Sequence, residues 1–510
     1  MNRVFGLFVG AGLAFGGCGG GTHVSVQPVH NNRILPAPPV VEAKAPRESP
    51  PESFPARPFS APPATWAELG NGLKIVSRRD KSVPIAHVRI AVLAGSSVDG
   101  ESTGLSAVCG RALASSGAGT LSDTELQAKL ETLGASLDVD VDADRIVVGL
   151  SVVSNRLPEA FDVLAQMVTK PRLGKDDVIR VQKRLAEETA DNARGDGRWG
   201  ALMVLYRDLF SLPAEHHPYA SYDATADEIS AIKPADCKNW HRRFFVPSNM
   251  LVAASGDVDP ASMRAAAQRG LGGLRKGSAP LISFTDPMPA GSTKITLVDR
   301  PGSAQSEVVV GTLAPKKSDS SYASFLVADQ VIGGTYTGRI FTDMREKRGL
   351  AYLSFSQTYS HANSPSVFYM YAQTQNGSTG EALGALLDHA AKMVGSDVSP
   401  EENETASRFL AGWRALESGV PGREADMLCD AWVHKESDDA EEERARAIRQ
   451  TTPDSVRKAF AEHVRPGHFI IVVAGDAAQV GAALQPFGEV KVVDPTRNFA
   501  RIKTRPATKQ

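Results

Sequence analysis

The chain has almost no net charge. Its 510 residues include 56 Lys and Arg against 58 Asp and Glu, which leaves a formal charge of −2. A balance of this kind gives no electrostatic reason to expect a nucleic-acid partner. Hydrophobic residues make up 42% of the chain and charged residues 22%, values typical of soluble globular proteins, and the length predicts two to four domains.

Cysteine is scarce, with four residues in the whole chain. Cys18 lies near the N-terminus, and the other three, Cys109, Cys237 and Cys429, are widely spaced and odd in number. This spacing predicts no disulfide framework. We therefore interpret the three distant cysteines as small buried hydrophobic residues.

No apolar run is long enough to serve as a permanent membrane helix. The N-terminal run VFGLFVGAGLAF follows a single positive charge and leads through GGC to Cys18, which is the layout of a bacterial export signal over residues 1–18. The junction resembles a lipoprotein box, although Phe15 stands where Leu is usual. We expect lipidation of Cys18 and a lipid-anchored protein of the cell envelope, on the periplasmic side or at the outer membrane; a plain secreted chain is the alternative.

Residues 19–65 carry little apolar periodicity and are rich in proline, as in PAPPVVEAKAPRESPPESFPARPFSAPP. A segment of this composition buries too little surface to fold alone and favours an extended spacer. We predict a disordered tether.

The rest of the chain contains an internal repeat. Two segments, IKPADCKNWHRRFFVPSNMLVAASGDVD from Ile232 and TTPDSVRKAFAEHVRPGHFIIVVAGDAA from Thr451, place Pro, Pro, Gly and Asp at matching positions 219 residues apart. Each reads as an amphipathic helix followed by a β-branched strand and a Gly-Asp turn. The repeat predicts two homologous halves, 66–275 and 294–495, joined by a linker at 276–293 and followed by a tail at 496–510.

Each half alternates short β-branched runs with longer helical patterns. RIVVGLSVV and FIIVVAG are typical of strands, whereas LQAKLETLG spaces its leucines along one helix face and ends at Gly134, a C-terminal cap. Strands with their helices segregated to one side predict an α+β sandwich in each half.

Long stretches carry a family resemblance. The run from AGSSVDGESTGLSAVCGRALASSG to AQMVTKPRL, the end of the first half, and VIGGTYTGRIFTDMREKRGLAYLSFS in the second half resemble the insulinase/pitrilysin metallopeptidases, particularly the branch that contains the mitochondrial processing peptidases. The likeness covers nearly all of residues 66–495. It implies two homologous halves arranged as a clam-shell, a shape that periodicity alone does not predict.

The family's zinc motif is missing. Active members carry H-x-x-E-H on a helix, where two His bind zinc and the Glu activates water. The matching segment GLSAVCGRA has Ala107, Gly110 and Arg111 at the His, Glu and His positions. A more distal glutamate ligand survives as Glu188 or Glu187, but one carboxylate does not hold zinc, and we interpret it as a solvated helix residue. We expect no cofactor in this chain and zinc in a partner.

Other residues offer only incomplete metal sites. In AFAEHVRPGH, Glu462 and His463 follow Ala459, which stands where a first ligand is needed, and His216 and His217 are adjacent, so their side chains diverge. Cys109 lies within the degenerate motif without a second strong ligand near it in sequence. Converging ligands are required for a zinc site, so we predict none here.

The segment FTDMREKRGLAY, residues 341–352, supports two interpretations. By itself it is a basic helix end capped by Gly349 and followed by a strand. In the resembling enzymes, an Arg and a Tyr with this spacing reach from the second half to substrate at the zinc site, and they match Arg345 and Tyr352. The phenol would donate to the oxyanion and the guanidinium would hold the peptide.

Three functions follow from these observations. The first is a non-catalytic subunit of a heterodimeric zinc endopeptidase, which supplies Arg345 and Tyr352 in trans to a partner that carries H-x-x-E-H. The second is an inert peptide-binding or scaffold protein of the same fold. The third is a self-sufficient metallopeptidase with atypical ligands.

Overall fold

The computed structural model describes residues 61–508 except 213–216, 281–284, 397 and 421. The predicted signal and nearly all of the predicted tether lie outside these residues. Within the described part of the chain, no helix has both the length and the apolar character needed to cross a membrane.

Thirteen strands and sixteen α-helices occur among the described residues. The strands are β1 Thr65–Glu68, β2 Lys74–Arg79, β3 Ile85–Val92, β4 Ser136–Val141, β5 Ile146–Val153, β6 Met250–Gly256, β7 Lys294–Asp299, β8 Gln305–Ala314, β9 Ala351–His361, β10 Ser364–Gln375, β11 Ile470–Gly475, β12 Val490–Asp494 and β13 Ala500–Arg505. The helices are α1 Leu105–Ser115, α2 Asp123–Leu133, α3 Leu157–Thr169, α4 Lys175–Gly195, α5 Gly197–Leu209, α6 Ala226–Ala231, α7 Pro234–Phe244, α8 Pro260–Leu271, α9 Tyr322–Asp329, α10 Arg339–Phe341, α11 Thr379–Gly395, α12 Pro400–Ser418, α13 Arg423–Val433, α14 Ala440–Arg449, α15 Pro453–His463 and α16 Ala477–Leu484.

The strands form two sheets of the same design. The first has the order β1-β2-β6-β3-β5-β4 and the second the order β13-β12-β7-β11-β8-β10-β9. Five consecutive strands correspond, with one parallel pair, β2 with β6 and β7 with β11, beside antiparallel neighbours. The predicted α+β class with two related halves is confirmed.

Helix starts, strand ends and caps predicted from the sequence coincide with those in the structure. Helices α7 and α15 both begin at the proline of the repeat, and β6 and β11 both end at its glycine. Helix α2 begins at Ser122 with a capping box and ends at Gly134, whose φ of +61° favours glycine.

Residues 496–510, predicted to be a tail, contribute to the second sheet. Strand β13 pairs antiparallel with β12, which in turn pairs parallel with β7. The charged strand ARIKTR at a sheet edge has a polar pattern that periodicity does not separate from a disordered end.

The prediction that helices lie on one side of each sheet accounts for only one of its two faces. On β3, Val88 and Ile90 pack in a core with α1 and α3 of the same half. Ala91 points to the opposite face and packs against α13, which comes from the second half. The first sheet is therefore covered on both faces.

The exchange of helices between the halves is reciprocal. Helix α5 of the first half covers the second sheet, where Leu202 and Leu205 join Val309 and Val472 in one core. Gly311 on β8 permits the close approach, since a Cβ there would lie 2.5 Å from a Leu205 methyl. Helices α5 and α13 each follow a long helix, α4 and α12, so the two halves exchange equivalent elements.

Ion pairs accompany the apolar contact on the first sheet. Three arginines of that sheet meet carboxylates of α13, α14 and their junction: Arg89 Nε lies 2.6 Å from Asp426 and Arg145 Nη2 2.5 Å from Asp430. Arg78, whose side chain is 2% exposed, lies 3.0 Å from Glu424 and 3.1 Å from Asp439. Buried charges need such partners, and these come from the other half.

Replacing Arg78 by Met will destabilise the protein by about 3–5 kcal/mol, because it breaks a largely buried ion pair in which Arg78 is 2% and Glu424 14% exposed. Urea-induced unfolding measures the loss. The matched control is Arg79→Met, since Arg79 is the next residue and pairs with Asp257 and Asp259 but is 37% exposed. That control should lose no more than about 1 kcal/mol. Equal losses in the two variants would contradict a role for Arg78 in joining the halves.

Asp144 makes the contact between the halves sensitive to pH. It accepts hydrogen bonds from the Tyr219 hydroxyl and, at 3.1 Å, from the Ala362 N–H of the second half. Burial, reinforced by the neighbouring Asp142 carboxylate, raises the pKa of Asp144 to about 6. The folded protein therefore holds this proton more tightly than the unfolded chain does.

Because the folded pKa is the higher one, the contribution of Asp144 to stability is greatest below about pH 4 and declines as the pH rises to about 6. The decline is on the order of 3 kcal/mol. Urea unfolding at both ends of this window should show it in the wild type and in Asp162→Asn, a change at an exposed carboxylate. The decline in stability across this window should be smaller in Asp144→Asn than in the wild type by about this amount; an unchanged pH profile would contradict the assignment.

Candidate functional site

Helix α1 carries the degenerate metal motif, and the buried Asp99 carboxylate bonds its first turn. Asp99 accepts hydrogen bonds from the N–H groups of Gly104, at 3.0 Å, and Ser106, at 2.9 Å, at the first turn of the helix. Burial raises the pKa of Asp99 to about 7. The start of the helix is thus tied to the preceding loop, and this tie sets where positions 107, 110 and 111 lie.

Arg111, in the degenerate metal motif, forms an ion pair with Glu188, the residue predicted as a remnant ligand. Arg111 Nη1 lies 2.5 Å from Glu188 Oε2, and Arg184 approaches the same carboxylate at 3.7 Å. Arg111 and Glu188 are 46% and 47% exposed, so Glu188 is a half-exposed helix residue with two cationic neighbours. A surface pair of this kind contributes at most about 1 kcal/mol to stability.

Gly110, at the position that the resemblance matches to the catalytic glutamate, leaves little room for a side chain. A Cβ there would lie 2.5 Å from Val141 Cγ2 and 2.9 Å from Ile146 Cδ1, closer than van der Waals contact allows. Ala107 is half-buried and packs against the core of the first half. Ala, Gly and Arg side chains supply no metal ligand, so the residues present at positions 107, 110 and 111 do not fit a zinc ion.

The prediction for two of the cysteines is wrong. Cys109 and Cys237 form a disulfide with a Cα–Cα distance of 5.1 Å, which links α1 to α7 across 128 residues. In the chain-entropy model, closing a loop of this length contributes at most about 5 kcal/mol. Cys429 is free and buried in the core beneath α13, as predicted.

The other candidate ligands are occupied in structural contacts. His217 is buried, stacks on Phe210 at 5.0 Å and has its Nε2 2.7 Å from the Thr285 carbonyl oxygen, while His216 lies outside the described residues. On α15, Ala459 is buried and His463 packs edge-on against Phe325. Across the described residues, no group of three His, Cys, Asp or Glu side chains could hold a metal ion.

Arg345 and Tyr352 lie together on the surface of the second half. Arg345 belongs to the π-helical turn Thr342–Lys347, and Tyr352 lies at the start of β9. The Arg345 guanidinium carbon lies 4.6 Å from the centre of the Tyr352 ring and 5.0 Å from that of Phe341. Tyr352 is 73% exposed, so its hydroxyl faces solvent.

The turn that carries Arg345 is held by polar contacts on its other side. Asp343 accepts hydrogen bonds from Arg348 at 2.6 Å and, through Oδ2, lies 2.9 Å from His389 Nε2 of α11. Although burial opposes it, bonding to Arg348 and His389 leaves the pKa of Asp343 below its ordinary value. The turn ends at Gly349, whose φ of +63° matches its predicted capping role.

Two pairs therefore make up the candidate site. Arg111 meets Glu188 in the first half, and Arg345 meets Tyr352 in the second; among the described residues, no hydrogen bond or ion pair joins one pair to the other. The sequence interpretation missed Phe341, which completes the stack around Arg345. Its spacing of four residues before Arg345 on a helical turn was a usable signal.

Comparisons with known proteins agree with this geometry. A family profile described as insulinase (peptidase family M16) matches residues 74–199, which contain the degenerate motif. A second, described as the peptidase M16 inactive domain, matches residues 231–410, which contain Arg345 and Tyr352. The chain belongs to the insulinase family, peptidase family M16.

Relatives and solved structures span most of this M16 chain. An uncharacterised zinc protease of Mycobacterium bovis is 25% identical over 427 residues, 83% of this chain and 96% of that protein. The β subunit of the mitochondrial processing peptidase of Saccharomyces cerevisiae is 22% identical, over 70% of this chain and 74% of that subunit. The peptidase M16 inactive domain of Pseudomonas fluorescens has a TM-score of 0.75 at 24% identity and covers 81% of this chain and 98% of its own.

The family resemblance is therefore confirmed, and the departure from the zinc motif gains meaning. The positions that the resemblance matches to the metal site hold Ala107, Gly110 and Arg111, and a buried disulfide links the same helix to α7. The chain is thus a member of family M16 whose matched segment lacks the zinc motif.

Gly110→Ala tests whether the motif helix has room for a side chain. The added methyl group meets Val141 and Ile146, so we expect a loss of about 1–3 kcal/mol in urea unfolding. The matched control is Gly412→Ala in the middle of α12, where a Cβ meets nothing within 4 Å. There the higher helix propensity of alanine should stabilise the protein by up to about 1 kcal/mol. A Gly110→Ala variant as stable as Gly412→Ala would show that a side chain fits at position 110.

Proposed function

We propose that this chain is the non-catalytic subunit of a heterodimeric zinc endopeptidase, and that Arg345 and Tyr352 contact peptide substrate at the zinc site of a partner M16 subunit. The observation that carries the proposal is the exposed stack of Arg345 on Tyr352, with a solvent-facing hydroxyl, in a chain whose own metal positions are closed. A self-sufficient metallopeptidase is not carried forward, because the described residues contain no group of three His, Cys, Asp or Glu side chains that could hold a metal ion.

The proposed chemistry uses this chain's own groups in two ways. The Tyr352 hydroxyl donates a hydrogen bond to the carbonyl oxygen of the scissile peptide as negative charge develops on it. Arg345 lies over the Tyr352 ring, which orients the phenol, while the guanidinium keeps N–H donors for the substrate backbone. We expect the zinc ion and its H-x-x-E-H motif in the partner.

Features outside the site support the heterodimer and its location. The β subunit of the mitochondrial processing peptidase and subunit 1 of the bovine cytochrome b-c1 complex, which is 22% identical over 216 residues, are both named as subunits of assemblies. The Cys109–Cys237 disulfide is consistent with an oxidising compartment such as the bacterial periplasm. We propose a cell-envelope protein, anchored through a lipidated Cys18.

A second candidate function is an inert scaffold or peptide-binding subunit. The likeness to a cytochrome b-c1 complex subunit favours it, since that relative is named as part of a respiratory complex and not as a protease. A neighbouring gene that encodes H-x-x-E-H on a similar scaffold would favour the protease; the two functions also differ in what Tyr352 must do.

Tyr352→Phe should lower kcat for peptide hydrolysis about 10²–10³-fold with little change in KM, because the lost hydroxyl acts in the transition state. The assay uses tagged protein purified from native membranes with its partner retained. Tyr336→Phe is the matched control, since Tyr336 is a 63% exposed tyrosine that packs on Phe341. It should leave kcat unchanged, and the isolated chain should hydrolyse nothing.

Normal turnover by Tyr352→Phe would overturn the proposed role of the pair. A complex without zinc-dependent hydrolysis in the wild type would favour the scaffold function instead.

A further inference from the structure

The turn Thr342–Lys347, which carries Arg345 and which we call the Arg345 turn, has an uncommon backbone. It is π-helical, a wide helical form that proteins use mostly as single turns, frequently at functional sites. The chain leaves it through Gly349, whose φ of +63° is a conformation that glycine permits and other residues disfavour. A turn of this kind depends on contacts with its surroundings to keep one conformation.

Arg345 does not supply those contacts. Its side chain is exposed, and among the described residues it makes neither a hydrogen bond nor an ion pair. Its contacts are with the Phe341 and Tyr352 rings, and such cation–π contacts are weak at exposed sites. The placement of Arg345 over the Tyr352 ring therefore depends on how the backbone of the Arg345 turn is held.

Apolar burial holds the turn against the core. Met344 is fully buried, and Phe341, immediately before the turn, is 6% exposed. Burial of apolar surface is favourable but non-directional. These two side chains set how deeply the turn lies in the second half, and a directional contact is needed to set its orientation.

A carboxylate inside the turn makes directional contacts on two sides. Asp343 accepts hydrogen bonds from Arg348, just beyond the turn, at 3.1 Å from Nε and 2.6 Å from Nη2. Its Oδ2 also lies 2.9 Å from His389 Nε2. Because an ionised carboxylate can only accept, the imidazole is the donor in this bond. Asp343 therefore connects the start of the turn to its end and the turn to α11.

His389 lies on a rigid element. It is 8% exposed, and Asp343 is the one hydrogen-bond partner of its imidazole among the described residues. Its neighbours on α11, including Leu386, Ala390 and Met393, are buried in the core of the second half. The helix fixes the imidazole, and the imidazole in turn holds the carboxylate of the turn.

We propose that His389 is a positioning residue: through Asp343 it holds the Arg345 turn in the conformation that places Arg345 over the Tyr352 ring. His389 itself contacts no substrate. Its consequence for catalysis rests on the proposed function, whereas its effect on the Arg345–Tyr352 contact requires neither a partner nor turnover. The two proposals can therefore fail separately.

The first test observes the Tyr352 ring by fluorine NMR of the mature chain labelled with fluorotyrosine. The chain has nine tyrosines, and the signal that disappears in Tyr352→Phe identifies this one. Arg345→Met gives the reference signal of a ring without its cation. His389→Leu removes the donor, whereas His389→Gln keeps an N–H donor. The matched control is His463→Leu, since the His463 imidazole packs on Phe325 instead.

We expect the Tyr352 signal of His389→Leu to move toward that of Arg345→Met, and His389→Gln and His463→Leu to keep the wild-type signal. Thermal unfolding verifies that each variant folds. If His389→Leu does not fold, Asp343→Asn takes its place with the same expected shift, because an amide has one oxygen for three donors. A wild-type signal in the folded variant, or an equal shift in His463→Leu, would overturn the proposal.

The second test measures turnover of the complex purified with its partner. His389→Leu should lower kcat about tenfold, because a displaced group is a less effective catalyst, and His463→Leu should leave it unchanged. In a chain that already carries Arg345→Met, His389→Leu should lower kcat no further, since the group that it positions is absent.

A further loss in the double variant, equal to the loss in the single one, would show that His389 acts elsewhere and contradict the proposal. Normal turnover in Tyr352→Phe would reject the proposed function of the pair. The fluorine signal of His389→Leu would still decide whether His389 holds the Arg345 turn.

Discussion

The structure depends on the reciprocal exchange of α5 and α13 between the halves. Each sheet buries one face beneath its own helices and the other beneath a helix that the opposite half supplies. Neither sheet is complete alone, because its second apolar face would lie open to water. Arginines of the first half also pair with specific carboxylates of the second half. Contacts between the halves therefore hold the candidate-site residues in place.

Loss of the metal site has been accompanied by structural use of the same helix. Arg111 pairs with Glu188, Gly110 admits β4 and β5 to close contact, and Cys109 ties α1 to α7. These three features are compatible with one another, since a helix that binds no metal can pack tightly against its neighbours and carry a disulfide. A glutamate at position 110 would require the Val141 and Ile146 side chains to shift.

The duplicated architecture was predictable from the sequence because its signals are local. Proline at a helix start and glycine at a strand end have the same meaning wherever the chain goes, so the repeat at Pro234 and Pro453 identified two related halves. The exchange of α5 and α13 was not predictable, since periodicity shows that a helix has an apolar face but not which sheet covers it. The edge strand β13 was missed for a related reason, because its polar pattern depends on a neighbour to become a strand.

The candidate site, too, was predictable from the sequence only in part. The absence of H-x-x-E-H and the Arg345–Tyr352 spacing could be read from residues alone, whereas the ion pair of Arg111 with Glu188 was not predicted. The disulfide could not, because an odd number of cysteines far apart in sequence says nothing about which two Cα atoms lie close together.

The register of the two halves makes Trp413 on α12 the equivalent of Glu188 on α4. A chain that keeps one fold twice can use equivalent faces for different chemistry. Here the first half presents an ion pair where the second presents the stacked rings of Phe409 and Trp413. The second half also carries the exposed Arg345 and Tyr352, so the groups proposed to contact a peptide lie in the half without the degenerate metal motif.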